Sequence, residues 1–228
     1  AIWLENRQLF EQAQHRSNLL ATGAEISGAA SSILDPDELI NTSVNLICNR
    51  FGFYYVGLFL VDETKKWAVL RAGTGEAGRL QVEKGHRLQI GGESMIGWAV
   101  ANRQARIALD VGKDAVHFQN PFLPDTRSEM ALPLTSRDEV IGALTVQSAV
   151  QNAFSKEDIT VLQTMADQLG NAIANARLFD HVRRSQQAAE ALLQETQALQ
   201  QLSQALAGTL DTDEILDLFF RACTQDIG

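Results

Sequence analysis

The octapeptide ILDPDELI at positions 33–40 returns as TLDTDEIL at 209–216, and no other feature restricts the organisation of this chain so strongly. At an offset of 176, residues 32–52 align with residues 208–228, so that Asp35, Asp37, Glu38 and Gly52 recur as Asp211, Asp213, Glu214 and Gly228. A second echo, ENRQLFEQ (5–12) in ANARLFDH (174–181), runs at an offset of 169 and repeats Asn6, Leu9 and Phe10 as Asn175, Leu178 and Phe179. Repetition at a fixed period signals a tandem unit. The two offsets differ by seven residues, two turns of a coiled-coil helix, so the longer second connector keeps the same stripe facing a partner.

Both connectors therefore read as helices in register. A four-three walk visits Leu9, Ala13, Arg16 and Leu20 in the first, and Leu178, Val182, Ser185, Ala189 and Leu192 in the second. Small and polar residues at such seams predict weak, adjustable parallel pairing. The alternative is a lone amphipathic helix folded back on its own domain. Each connector ends at an aspartate, Asp35 or Asp211, followed by acidic residues, and Pro36 suits a first helical position; a new helix starts at each phrase.

Between the repeats the period changes. YYVGLFLVD (54–62) and WAVLRAG (67–73), joined by ETKK, form a hairpin pattern, and HRLQI (86–90) is a shorter strand. SMIGWAVANRQ (94–104) has the apolar spacing of a short helix, ARIALD (105–110) is a brief extended piece, and residues 111–127, with Pro121 and Pro124, are a long loop. SEMALPLTS (128–136) and VIGALTVQSA (140–149) bracket a turn in the clearest hairpin of the chain, and 154–179 restores the helical period. Ser155 with Asp158 reads as a capping-box start. The Gly-rich RAGTGEAG (71–78) lacks both the Walker lysine and the dinucleotide-fingerprint spacing, and is read as a turn.

GESMIGWAV, the Pro-containing loop, SEMALPL, VIGALTVQS and AFSKEDITVLQTMADQLGNAIANARLF resemble, in order and spacing, the body of a GAF domain over about residues 35–179. The flanks resemble the helices that join GAF domains in tandem in bacterial signalling proteins such as sensor histidine kinases of two-component systems. The resemblance implies an α+β, GAF/PAS-like antiparallel sheet of five or six strands with long N- and C-terminal signalling helices. The first and last domain helices would pack on one face of the sheet, and a small-molecule pocket would lie on the other, under the short helix and the long loop. It also implies pocket walls from Trp98, His117, Phe118, Phe122, Arg127 and Glu129, a set suited to a small polar or anionic ligand, although the aromatic residues also fit plain core.

Other chemistries are tested residue by residue. Relatives that reduce free methionine sulfoxide and those that bind bilins covalently need pocket cysteines, whereas this chain has none between Cys48 and Cys223. A non-covalent tetrapyrrole beside His86 or His117 remains an alternative, and the Asp-Glu pair of the cyclic-nucleotide-binding relatives is missing after Asp125. No spacing points to a metal site, and the cofactor, if any, is unknown. A formal charge of −9 argues against nucleic acid and anionic lipid as partners, and no apolar run approaches the ~20 residues that span a bilayer.

The resulting expectation is a non-enzymatic, cytoplasmic sensory module taken from the interior of a GAF array. Residues 1–34 would be a connector helix with the tail of a preceding domain, 35–179 the GAF domain, 180–210 a second connector, and 211–228 the first helix of a following GAF domain. A parallel homodimer through 1–34 and 180–210 would relay the binding of a small molecule to an output domain. The rival expectation is a structural dimerisation spacer without a ligand.

Overall fold

The computed structural model describes residues 33–112 and 120–209, together with Gly28 and Leu216. The segment expected as a first connector, 1–34, apart from Gly28, Ile33 and Leu34, and the segment expected as the first helix of a following domain, 211–228, apart from Leu216, lie outside the described residues. Contacts divide the chain into a unit ending at Asp180 and a unit from His181 onward.

Helix α1 spans Pro36–Phe51. It begins where Asp35 Oδ1 accepts the backbone N–H groups of Asp37 and Glu38 at 3.0 and 2.9 Å, with Pro36 in the first turn. It stops at Gly52, whose φ of 68° suits a residue without Cβ and whose N–H is bonded to the Cys48 carbonyl. The strands β1 (Tyr55–Val61) and β2 (Trp67–Gly73), helix α2 (Gly75–Glu83), strand β3 (Arg87–Gln89), helix α3 (Met95–Asn102) and strands β4 (Arg106–Ala108), β5 (Ser128–Ser136) and β6 (Glu139–Ser148) follow. The final helix, α4 (Lys156–Thr209), opens on the reciprocal bonds of a capping box, Ser155 N–H to Asp158 and Asp158 N–H to Ser155 Oγ.

The six strands form one sheet in the order β3-β2-β1-β6-β5-β4, every pairing antiparallel. β1, β5 and β6 are buried on both faces, so their alternating residues feed two separate cores. Val56, Leu58, Leu60, Met130, Leu132, Leu134, Leu144 and Val146 point to one side, where Leu39, Ile40, Val44 and Ile47 of α1 and Leu162, Met165, Leu169 and Ile173 of α4 cover them. Phe59, Leu70, Ala131 and Ala143 face the other side and meet Met95, Ile96, Ala99 and Val100 of α3. A bulge between Leu58 and Phe59 lets β2 serve both layers, with Ala72 in the first and Leu70 in the second. Helix α4 comes close enough to β5 at Gly170 that a Cβ there would stand 2.5 Å from the Thr135 carbonyl oxygen.

The GAF/PAS-like α+β arrangement expected from the sequence, with its first and last helices on one face, is present. One local reading is corrected. RAGTGEAG is the end of β2 followed by the start of α2, a helix with no counterpart in the sequence reading. Its glycines permit close approach: a Cβ on Gly78 would lie 2.0 Å from the Gly73 carbonyl group, so α2 rests directly on the strand backbone. In the second unit, the described side chains of 181–201 are all exposed, including Leu192, Leu193 and Leu199 at 58–65%.

Gly78→Ala should destabilise the domain by about 1–3 kcal/mol through this forced separation, and Leu144→Ala by about 2–5 kcal/mol through the cavity it leaves in the helix-facing core. Urea unfolding reads both; an unchanged midpoint for Gly78→Ala would place α2 elsewhere.

Candidate functional site

The face of the sheet beneath α3 is apolar at one end and polar at the other. Tyr55 opens β1, Glu129 lies near the start of β5, and Thr145 and Gln147 stand near the end of β6. The pairings Tyr55 with Gln147 and Glu129 with Gln147 put these side chains on one patch. All are buried, as are Thr126 and Gln81 of α2. Buried polar groups are costly unless bonded, and this cluster largely meets that demand internally. Glu129 Oε1 accepts from Thr145 Oγ1 at 2.9 Å and from Gln147 Nε2 at 3.3 Å. Thr126 Oγ1 bonds Gln147 Oε1 at 2.7 Å, which ties the segment after Asn120 to the sheet.

Tyr55 departs from this pattern. Its ring lies over the facing pair Gly57 and Gly73, where an added Cβ would stand 2.8 or 2.4 Å from the phenolic oxygen. Any larger residue at either position would expel the ring. The hydroxyl lies beside Gln81, and among the described residues it has no hydrogen-bond partner. Burial pushes the Tyr55 pKa well above the ordinary tyrosine value; the neighbouring Gln81 opposes this and the Glu129 charge adds to it.

These groups, with Phe59, His86, Leu88, Met95 and Ile96, line a cavity of about 40 Å³, room for a water or two. His86 packs edge-on against Phe59 at 5.9 Å between ring centres, and burial lowers its pKa. The outer wall is fastened to α2 twice. Asn120 Nδ2 donates to Gln81 Oε1 at 2.7 Å, and the Lys84 ammonium lies 4.7 Å from the Phe122 ring centre.

Of the residues that the resemblance assigned to the pocket, Glu129 lines this cavity. Trp98 does not: it sits on the flank of α3 turned away from the buried Met95 and Ile96, half-buried under the Arg106 guanidinium at 5.1 Å. Phe122 is half-buried under Lys84, and its neighbour Leu123 turns into the cavity instead. Arg127 is exposed and lines a separate surface depression with Pro121 and Pro124. His117 and Phe118 lie outside the described residues. Tyr55, Gln81, Thr126, Thr145 and Gln147 were absent from the sequence reading. Their signal was present: in VIGALTVQS the polar Thr145 and Gln147 alternate with Leu144 and Val146, a pattern that ordinarily means a water-facing side. Among the described residues no group of three or more His, Cys, Asp or Glu side chains is placed to hold a metal ion.

A sheet with paired helices on one side, and a short helix over a polar cavity on the other, defines the GAF/PAS-like class of α+β domains. Comparison with known proteins is more specific: the GAF domain family profile matches residues 33–174, and the chain belongs to that family. A curated relative, GAF domain-containing protein A of Dictyostelium discoideum, is 30% identical over 122 residues, 54% of this chain and 71% of the relative. Among solved structures, the GAF domain of a phosphoenolpyruvate-protein phosphotransferase from Coxiella burnetii superposes with a TM-score of 0.64 at 23% identity, covering 72% of this chain and 96% of that one. The free methionine-R-sulfoxide reductase of Neisseria meningitidis in complex with its substrate gives 0.60 at 23% identity, covering 69% and 89%. At such identities the structural likeness speaks to the fold.

Because the Tyr55 phenol ionises less readily folded than unfolded, its contribution to stability is complete below pH ~10 and is lost as pH rises further. Tyr55→Phe should therefore flatten the alkaline fall in stability by up to about 1.4 kcal/mol per pH unit, and cost little at pH 7, since it removes an unpaired hydroxyl. Urea unfolding from pH 7 to 11 reads both, and an unaltered alkaline slope would mean that the phenol is solvated.

Proposed function

We propose that this chain is a sensory or regulatory GAF module that binds a compact, hydrogen-bonding molecule in the cavity between the sheet, α2 and α3. The observation that carries this reading is the buried polar cluster of Tyr55, Gln81, Thr126, Glu129, Thr145 and Gln147, which includes a phenol without a hydrogen-bond partner among the described residues. A core built only for stability gains nothing from such groups. Occupancy would be felt by the segment after Asn120, bonded to Gln81 and Gln147 through Asn120 and Thr126, and by α2 and α3. The connectors of a parallel homodimer, formed by 1–34 and 180–210, would pass the change to an output domain in a cytoplasmic signalling protein. The exposed Leu192, Leu193 and Leu199 support pairing there, because isolated helices rarely leave such side chains in water.

The module acts without catalysis in this proposal. Reduction of a sulfoxide by thiol chemistry needs a cysteine at the pocket. The chain has no cysteine between Cys48 and Cys223, and Cys48 packs in the helix layer across the sheet, donating to the Phe53 carbonyl. The cavity is also far too small for a tetrapyrrole.

A second reading, a dimerisation spacer without a ligand, is favoured by the same small volume of about 40 Å³. Thermal-shift and native mass-spectrometric screens against small amino acids, small acids and small amines separate the two. A ligand whose stabilisation is lost in Gln147→Leu supports the sensor, and the absence of any hit leaves the spacer. For the relay, sedimentation of the full chain against residues 35–179 should show a dimer giving way to monomer; equal states would remove the connectors from the mechanism.

A further inference from the structure

A second concavity of the first unit lies at the other end of the sheet from the polar cavity. Where β1 and β6 carry Tyr55 and Gln147 into the cavity, their opposite ends carry Val61 and Val140 into a groove of about 420 Å³, within the range of small-molecule sites. Ile90, Val100 and Ile141 complete a branched aliphatic floor contributed by separate elements.

The charges around this floor are unequally committed. Asp62 is taken up by its own turn, accepting from Thr64 Oγ1 and from the Lys66 and Trp67 N–H groups. Lys65 and Glu139 pair with each other at 3.4 Å. Arg103 ends α3 in the left-handed conformation, φ 56°, and its guanidinium donates to the Asp138 carbonyl across the groove. Arg177 of α4 enters the lining from the helix layer; desolvation first, and then Arg71, lower its pKa, while Asp37 opposes them. Charge at the rim balances, Lys65, Arg103 and Arg177 against Asp62, Asp138 and Glu139, but the Asp62 carboxylate is taken up by its turn and Lys65 and Glu139 by each other, so the Arg103 and Arg177 guanidinium groups keep hydrogen-bond donors beyond those that Asp138 engages. An aliphatic floor with guanidinium donors to spare at its rim is complementary to an amphipathic carboxylate.

We propose that this groove is a second binding site, separate from the cavity, for a small amphipathic monocarboxylate. Its apolar body lies on Val61, Ile90, Val100, Val140 and Ile141, and its carboxylate is held by Arg103 and Arg177. Because Arg177 belongs to α4, four residues before His181, such a ligand joins the hairpin ends of the sheet to the helix that continues into the connector.

Octanoate is the probe, with octan-1-ol and octylammonium as controls, followed by backbone amide shifts of the full chain. Saturable octanoate shifts centred on Val100, Val140 and Ile141 are expected, with an affinity that falls about tenfold in Arg103→Asn/Arg177→Gln. Asparagine preserves the left-handed preference at 103, and if the double variant fails to fold, Arg177→Gln alone carries the comparison. Four results each overturn the proposal: no saturable shift at millimolar octanoate, shifts centred on Tyr55 and Thr145, equal affinity for octylammonium or octan-1-ol, or an unchanged affinity in the arginine variant. The second result would place octanoate in the cavity; the other three leave ligand binding there untouched, and Gln147→Leu reports on it separately.

Discussion

The burial of β1, β5 and β6 from both sides is the constraint on which the rest of the domain depends. Leu58, Leu132 and Leu144 are fully enclosed beneath α1 and α4, and burial of such a side chain is worth about 1.5–3 kcal/mol. With stability concentrated in that layer, the opposite face can give up apolar surface at one end and hold a carboxylate, a phenol and two amides beneath α2. Register makes the division sharp: a slip of one residue would send Leu144 and Val146 into the polar patch and Thr145 and Gln147 into the core.

Glycine determines how near the layers come. Gly57 and Gly73 face each other and form the slot that holds the Tyr55 ring, Gly78 seats α2 on the same strand, and Gly170 brings α4 against β5. None of these acts through a positive φ; each acts through the missing Cβ. The Tyr55 hydroxyl is held where it is because backbone, and not side chain, lies beneath its ring. The cavity thus lies at one end of the sheet and the groove at the other, where it reaches round to Ile141 and Arg177 of the helix layer, with the Phe59, Ile96 and Ala143 packing between them.

Much of this arrangement was legible in the chain. The Asp35 cap, the Ser155–Asp158 box and the hairpin from Ser128 to Ser148 are local effects, set by hydrogen bonds or side-chain alternation within a few residues. Helix α2 was not legible, because its glycines suit a turn equally well until Gly73 is seen beneath Gly78. Trp98 and Phe122, to which the resemblance assigns pocket walls, are large aromatics on the expected elements. Helical phase and a neighbouring leucine turned both away from the cavity.

The sequence by itself determined the family, the order of most elements, the capping of the helices and the seven-residue difference between the offsets of two repeated phrases, since each is written in residues near one another or in a repeat. Only the tertiary structure decided that Thr145 and Gln147 are buried, that Tyr55 lies over two glycines with its hydroxyl unbonded, and that Arg103 and Arg177 border one groove. Alternation along a strand records which residues share a face; which face meets water depends on what packs across it, and residues distant in the chain settle that.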